Sequence, residues 1–195
     1  MSLNIGIYIY DNAEVLDFSG PFEVLSTAKR LTGNDWNISL IAEFDSIVTA
    51  RGGFLVTPHY CFDNHPSLDI LIVVGGVHTE EVKKPNVIHW IAKTDALTKK
   101  TVSVCTGAFL LAEAGLLDEL SVTTHWEDIK ALTLDYPKLT VLENKRWVVD
   151  GKYMTSGGIS AGIDMSLHLV SQLSSQQVAE DTATQMEYHW HKNAQ

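Results

Sequence analysis

The sequence predicts an α/β fold with a mainly parallel central sheet and helices on both of its faces. Three observations carry this. Apolar, β-branched runs of strand length alternate with helical stripes along most of the 195 residues, as repeated strand-helix-strand units require. The run Leu68 to Val74 (LDILIVV) is continuously apolar, as a central strand buried on both faces must be. Thr101 to Gly115 (TVSVCTGAFLLAEAG) reads as strand, sharp turn and helix, with a thiol at the turn.

Taken in order, Leu3 to Tyr10 is a buried strand, and Asp11 to Glu14 is a polar turn. Ser19-Gly20-Pro21 fits a helix start, with Phe22, Leu25, Ala28 and Leu31 as the apolar stripe. Asp17, just ahead of that start, is either an N-cap or turn carboxylate or an acid beside a pocket. Trp36 to Glu43 is a second strand. Ile47 to Ala50 and Phe54 to Thr57 flank Arg51-Gly52-Gly53 as a hairpin or paired extended segment. Pro58 to Pro66 is a loop whose His59 and His65 lack close metal-ligand spacing, which favours solvated or capping roles.

Gly75-Gly76 ends the central strand. The pair is either an ordinary tight turn or a place where backbone amides approach a ligand or an oxyanion. His78 is a loop residue close enough in sequence to reach the same crevice. Pro85 to Lys100 is an amphipathic helix with Val87, Ile88, Ile91, Ala92 and Leu97 on one side. Beyond the Thr101 to Gly115 unit, Leu116 to Val122 is a connection, and Thr123-Thr124-His125-Trp126 leads into a helix from Glu127 to about Leu134. Thr140 to Leu142, Arg146 to Val149 and Tyr153 to Thr155 are strands, the last two joined by an Asp150-Gly151 turn. Ser156-Gly157-Gly158 opens a helix from Ile159 to Leu173. Gln176 to Tyr188 is the last helix, and His189-Trp190-His191 a frayed tail whose two histidines do not share a helix face.

The length suits one domain spanning 1–195, and no linker, repeat or low-complexity segment divides it. A net charge of −10, from 24 acidic and 14 basic residues, repels a phosphate backbone and argues against nucleic acid as a partner. No apolar run is long enough to cross a bilayer, so no membrane partner is expected. The start, MSLNIGIYIYD, enters a strand directly without a secretory leader. Two widely separated cysteines, Cys61 and Cys105, make no disulfide framework. Both features point to the cytoplasm.

Cys105 stands where a buried strand hands over to a helix. Unsatisfied amides and the positive end of the helix dipole favour thiolate over thiol there, and the thiolate is the nucleophile. The pattern is that of a nucleophile elbow, with Gly107 the small residue two positions on and Ser103 in place of the usual glycine two before. A small buried apolar residue ending a core strand reads equally well from the elbow alone. Asp17, Gly75-Gly76 and Cys105 all fall at carboxyl ends of strands, where ligands of open parallel sheets bind, and this convergence favours the reactive reading.

The segments LDFSGPFEV, VVGGVH, SVCTGAFLLAEAGLLD, TTHW, TSGGISAGIDMSL and QMEY, spread from Leu3 to about Tyr188, resemble the ThiJ/PfpI superfamily. Within it they are most similar to isonitrile hydratase and to the amidase-like domain of AraC-type regulators. The resemblance implies a flavodoxin-like, class I glutamine amidotransferase-like fold with Cys105 as nucleophile. It implies that Asp17 is the carboxyl group in contact with Cys105, that Thr106 is a third catalytic position, and that the amides of Gly75, Gly76 and Thr106 hold an anionic intermediate. His125, His78 and Gly107 then border the substrate pocket. With no acidic residue placed to orient His125, glutaminase or protease activity is not expected.

The activity so implied is hydration of an isonitrile or similar small electrophilic carbon to an N-substituted formamide, without cofactor or metal. The protein would be a homodimer assembled through the first helix and the elbow region, with a small-molecule substrate. Two other readings remain open: a small-molecule-binding or oxidation-sensing module in which Cys105 is modified without turnover, and glyoxal-type carbonyl chemistry. A direct role at DNA would need a DNA-binding segment, which the sequence to Gln195 does not contain.

Overall fold

The structure is a computed structural model that describes residues 2–192; Met1 and 193–195, the outer ends of the expected domain, lie outside the described residues. Its frame is a seven-stranded sheet in the order β10-β11-β7-β6-β1-β2-β5. The strands are β1 (Leu3–Tyr8), β2 (Trp36–Ala42), β5 (Tyr60–Cys61), β6 (Ile70–Val73), β7 (Lys100–Val104), β10 (Trp147–Asp150) and β11 (Tyr153–Ser156). All neighbours pair in parallel except β10 with β11, which form the antiparallel hairpin expected around Gly151. β3 (Val48–Ala50) and β4 (Phe54–Val56) pair as an antiparallel hairpin, one of the two forms expected, in a sheet of their own, and β8 (Ser121–Val122) pairs with β9 (Thr140–Val141).

Helices α1 (Val15–Thr32), α5 (Ser160–Leu173) and α6 (Gln176–Gln185) pack against one another. A second group contains α2 (Pro85–Asp95) and α3 (Gly107–Glu113), and α4 (Ile129–Asp135) accompanies β9. The β-branched centre explains this layering. Ile5, Ile7, Leu71, Ile72, Val102 and Val104 are fully buried, so successive side chains point into both layers and each layer needs a helical cover. Among the described residues no helix is long and apolar enough to cross a membrane.

Several boundaries differ from those the sequence suggests. α1 begins at Val15, before Ser19, which puts Asp17 inside the first helical turn instead of ahead of it, and Pro21 inside the helix. Proline lacks the N–H that would bond the carbonyl four residues back, here that of Asp17, so the helix accommodates it at the cost of one bond. Part of the expected loop after Pro58 adds a short edge strand, β5, to β2. α2 stops at Asp95, leaving Leu97 exposed, because the Asp95 side chain turns inward to accept hydrogen bonds from Thr101 Oγ1 (2.6 Å) and Tyr153 Oη (3.2 Å) and pairs with Lys152 (3.0 Å).

The tail is not frayed. Trp190 Nε1 donates to the Asp164 carbonyl at 3.1 Å, and the His191 amide to Asp164 Oδ1 at 2.9 Å. Asp164, fully buried on α5, also receives Arg146 Nε at 2.7 Å. Sequence reading missed this because the anchoring carboxylate lies 26 residues from Trp190. Removing one member of a buried, hydrogen-bonded ion pair strands its partner. Asp164→Ala is therefore expected to lower the unfolding free energy by about 3 kcal/mol, measured by urea denaturation. A change below about 1 kcal/mol would show that the cluster does not anchor the tail.

Candidate active site

The strand order reverses between β1 and β6, and the crevice at their carboxyl ends is where such a sheet presents a ligand site. The turn after β1 and the Gly75-Gly76 turn after β6 touch there. Glu14 N donates to Gly75 O at 2.9 Å, and Ala13 bridges to Gly76. Cys105 follows β7 with φ +55°, a left-handed conformation that a non-glycine residue adopts only under constraint. The constraint is visible. The Cys105 amide donates to Ser156 O and Gly157 O, both at 3.2 Å, and Thr124 Oγ1 donates to the Cys105 carbonyl at 2.8 Å.

Glycine makes the approach possible. A Cβ on Gly75 would stand 2.6 Å from the Thr106 amide and 2.7 Å from Cys105 Cβ, while one on Gly107 would overlap the Val73 carbonyl. Gly107 thus lets α3 start against β6. The strand-to-helix elbow expected from the sequence is present in backbone geometry.

Asp17 is fully buried. Its Oδ1 accepts the Ile159 amide at 3.0 Å, and its Oδ2 is buried without a well-aligned hydrogen bond. The Cys105 thiol is close enough that each group shifts the other's titration. Burial, opposed in part by the Ile159 amide, raises the Asp17 carboxyl to about 7. The thiol departs from the sequence expectation. Burial first, then the Asp17 charge, push it well above its ordinary value, and the Thr106 N–H, which favours the thiolate, does not offset them. α3 has only seven residues, and its N-terminus does not overcome the dry surroundings. The pair therefore ionises at the carboxyl first.

The three amides expected to hold an anion divide among different tasks. Thr106 N–H serves the sulfur and Gly75 N–H the Asp17 carboxyl. Gly76 N–H is already taken by Thr106 Oγ1 at 2.9 Å, and the same hydroxyl donates to Gly76 O at 3.0 Å. Thr106 thus locks the glycine turn with its side chain and addresses the sulfur with its backbone.

His125 comes to the site as expected, its ring against Gly158. A Cβ at Gly158 would overlap that ring and lie 3.2 Å from Cys105 Sγ, so this glycine covers the sulfur. An acid does face His125, contrary to expectation: Asp128 Oδ2 lies 3.4 Å from Nδ1 and Glu127 Oε2 at 3.9 Å. The turn Trp126–Asp128 folds them back, a local geometry that spacing alone did not reveal. The His78 ring lies tilted against Phe109, ring centroids 4.3 Å apart, and burial lowers its pKa. It flanks the Gly76 turn and does not line the groove.

That groove, about 840 Å³, runs over Thr124, His125, Gly158 and Ile159 and is bordered by Trp126 and Arg146. Cys105 is 7% exposed and lies beneath Gly158. Among the described residues no group of three or more His, Cys, Asp or Glu side chains is arranged to hold a metal ion.

Two further residues escaped sequence reading. Ile159, a β-branched residue at φ +54°, sits in a turn closed by Ala161 N to Gly158 O at 3.1 Å, and this strained conformation aims its amide at Asp17. Tyr10, buried two residues beyond β1, sets its hydroxyl near Thr106 without a well-aligned partner. Nothing in the local pattern around either residue signalled a site.

Comparison with known proteins follows the same outline. The model of the DJ-1/PfpI family matches residues 4–172. The chain is 33% identical over 190 residues to isonitrile hydratase of Pseudomonas putida, covering 96% of this chain and 79% of that protein. It is 29% identical over 170 residues to the HTH-type transcriptional regulator GbdR of Pseudomonas aeruginosa (strain UCBPP-PA14), covering 87% of this chain but 46% of the regulator, so it spans less than half of that relative. A solved ThiJ/PfpI family protein from Pseudomonas syringae superposes with a TM-score of 0.88 at 27% identity, covering 98% of this chain and 77% of that one.

The Asp17 environment makes stability depend on pH. A carboxyl raised from 3.8 to about 7 contributes stability that is fully present below pH 4 and lost as pH rises through 7. By pH 8 this loss amounts to about 4 kcal/mol. Asp17→Asn keeps an acceptor for the Ile159 amide and carries no charge. Thermal melts should show it matching wild type near pH 4 and melting higher at pH 8. A wild type more stable than the variant at pH 8 would mean that the carboxylate is favoured in the fold.

Proposed function

We propose that this chain, which belongs to the DJ-1/PfpI family, is a cysteine-dependent hydro-lyase that adds water to the terminal carbon of an isonitrile or similar small electrophile, releasing an N-substituted formamide. The observation that carries the reading is the free Asp17 Oδ2 beside the Cys105 thiol in a dry pocket. The likeness to isonitrile hydratase over most of the chain supports it.

In this reading Asp17 takes the thiol proton as sulfur bonds the terminal carbon, and gives it to that carbon, forming a thioimidate. A water then loses a proton to Asp17 as its oxygen bonds the same carbon. The C=N electron pair moves to nitrogen, which takes the proton. Asp17 next removes the hydroxyl proton, the carbonyl forms, the C–S bond breaks, and the sulfur recovers the proton. Thr106 N–H steadies sulfur charge, Ile159 and Gly75 amides hold the carboxyl, and His125 with Asp128 walls the pocket.

Two free cysteines suit the reducing cytoplasm as the place of action. A homodimer would cover an apolar hollow of about 550 Å³ beside α1, lined by Leu16, Phe22, Phe54, Leu55 and Ile163, three of which expose large apolar area.

A second reading, a ligand-binding module without turnover, is favoured by the likeness to GbdR. Assay with cyclohexyl isonitrile separates the two. Hydration is expected in wild type, with kcat/KM rising through about pH 7 as Asp17 becomes a base. Cys105→Ala and Asp17→Val should each lose about three orders of magnitude or more while keeping their fold. Retained hydration in either variant refutes the mechanism, and binding without product supports the module.

A further inference from the structure

Beside the sulfur the groove carries an aromatic wall. A Cβ on Gly158 would overlap the His125 ring and lie 3.2 Å from Cys105 Sγ, so the imidazole stands next to the sulfur. The Trp126 ring follows, its centroid 5.8 Å from that of His125 and its plane tilted by 43°. The indole lines the groove and is 76% exposed, the most exposed of the large apolar side chains among the described residues. Ile159, also exposed, lines the same groove.

The segment that carries the indole is fixed on both sides of it. Before it, Thr124 Oγ1 donates to the Cys105 carbonyl, Thr123 N to Thr155 Oγ1 and Thr123 Oγ1 to the Leu142 carbonyl, each at 2.8 Å. After it, Asp128 N donates to the His125 carbonyl at 2.9 Å and closes the turn. The exposed indole therefore offers apolar area that a ligand can cover without further ordering of the backbone. Charge does not select here. Lys130, Lys145 and Arg146 border the groove together with Glu127 and Glu143, and Arg146 is paired with Asp164, so neither sign prevails. The groove volume, about 840 Å³, suits a drug-sized ligand and exceeds what an isonitrile with one small ring fills.

We infer that Trp126 is the specificity-determining residue of the groove and that the substrate is an isonitrile whose nitrogen carries a flat aromatic group on a short alkyl tether. The inference rests on the hydratase reading. With the terminal carbon bonded to Cys105, a group on nitrogen extends over Gly158 and His125, the side of the sulfur that borders the groove, and its ring meets the indole. Offset stacking of two aromatic rings adds to the apolar area they bury, which separates an aryl group from an alkyl group of equal size. The contact is made alike in substrate and transition state, so it acts on KM and leaves kcat.

Trp126→Ala removes an exposed ring, and a change at so exposed a position leaves the fold intact. The comparison is between 2-naphthylmethyl isonitrile and methyl isonitrile. Wild type should favour the naphthyl substrate by about tenfold or more in kcat/KM, through KM. Trp126→Ala should lower that preference about tenfold, and Trp126→Phe should restore most of it. A preference in Trp126→Ala within twofold of wild type, or none in wild type, would overturn the assignment. If wild type hydrates neither isonitrile, the functional reading fails. The subsite is then decided by calorimetric titration with N-(2-naphthylmethyl)formamide: saturable binding that weakens tenfold or more in Trp126→Ala sustains it, and equal or absent binding overturns it.

Discussion

The site depends on keeping a carboxyl group out of water with one of its two oxygens unspent. A buried carboxyl is costly as an anion and less so as an acid, which is why Asp17 titrates near neutrality and not near pH 4. Around it the backbone holds conformations that residues with side chains avoid. Cys105 and Ile159 both lie at positive φ, one turning the thiol toward the carboxyl, the other turning an amide toward it. Neither geometry survives without the surrounding hydrogen bonds and the close approaches at Gly75, Gly107 and Gly158.

The consequence is a division of labour unlike that of a preformed thiolate. In a site where the cysteine ionises first, a base is needed only for later proton transfers. Here the sulfur keeps its proton and the acid beside it gives way first. In the proposed reaction, the electrophile determines where the proton of the pair goes. In that reaction the Thr106 amide would matter most after the sulfur begins to lose its proton, when it meets growing negative charge.

Much of this was legible in the sequence. Continuous β-branched runs identified the strands because burial on both faces leaves no polar alternation to confuse them, and the order Asp17, Gly75-Gly76, Cys105, His125 followed from strand ends and a family resemblance. What escaped depended on tertiary placement. The early start of α1 was hidden by Pro21, which helix interiors normally exclude. The thiolate expectation failed because helix polarity is read from local sequence, whereas desolvation is set by whatever packs above, here Gly158 and His125. Tyr10 and Ile159 read as ordinary apolar positions; what sets them apart is one unpaired hydroxyl and one amide bonded to Asp17, and neither leaves a periodic trace. Asp128 was overlooked because a single turn brings it back to His125.

The Asp164 cluster joins two distant parts of the surface through one carboxylate. Arg146, on the rim of the groove, and the amide of His191, in the tail, share it. Arg146 takes Oδ2 and the His191 amide takes Oδ1, while Trp190 Nε1 bonds the Asp164 backbone carbonyl, so side chain and main chain of one residue together hold the groove rim and the tail. A single buried residue of α5 thereby ties Trp190 and His191 to the strand-side wall of the groove.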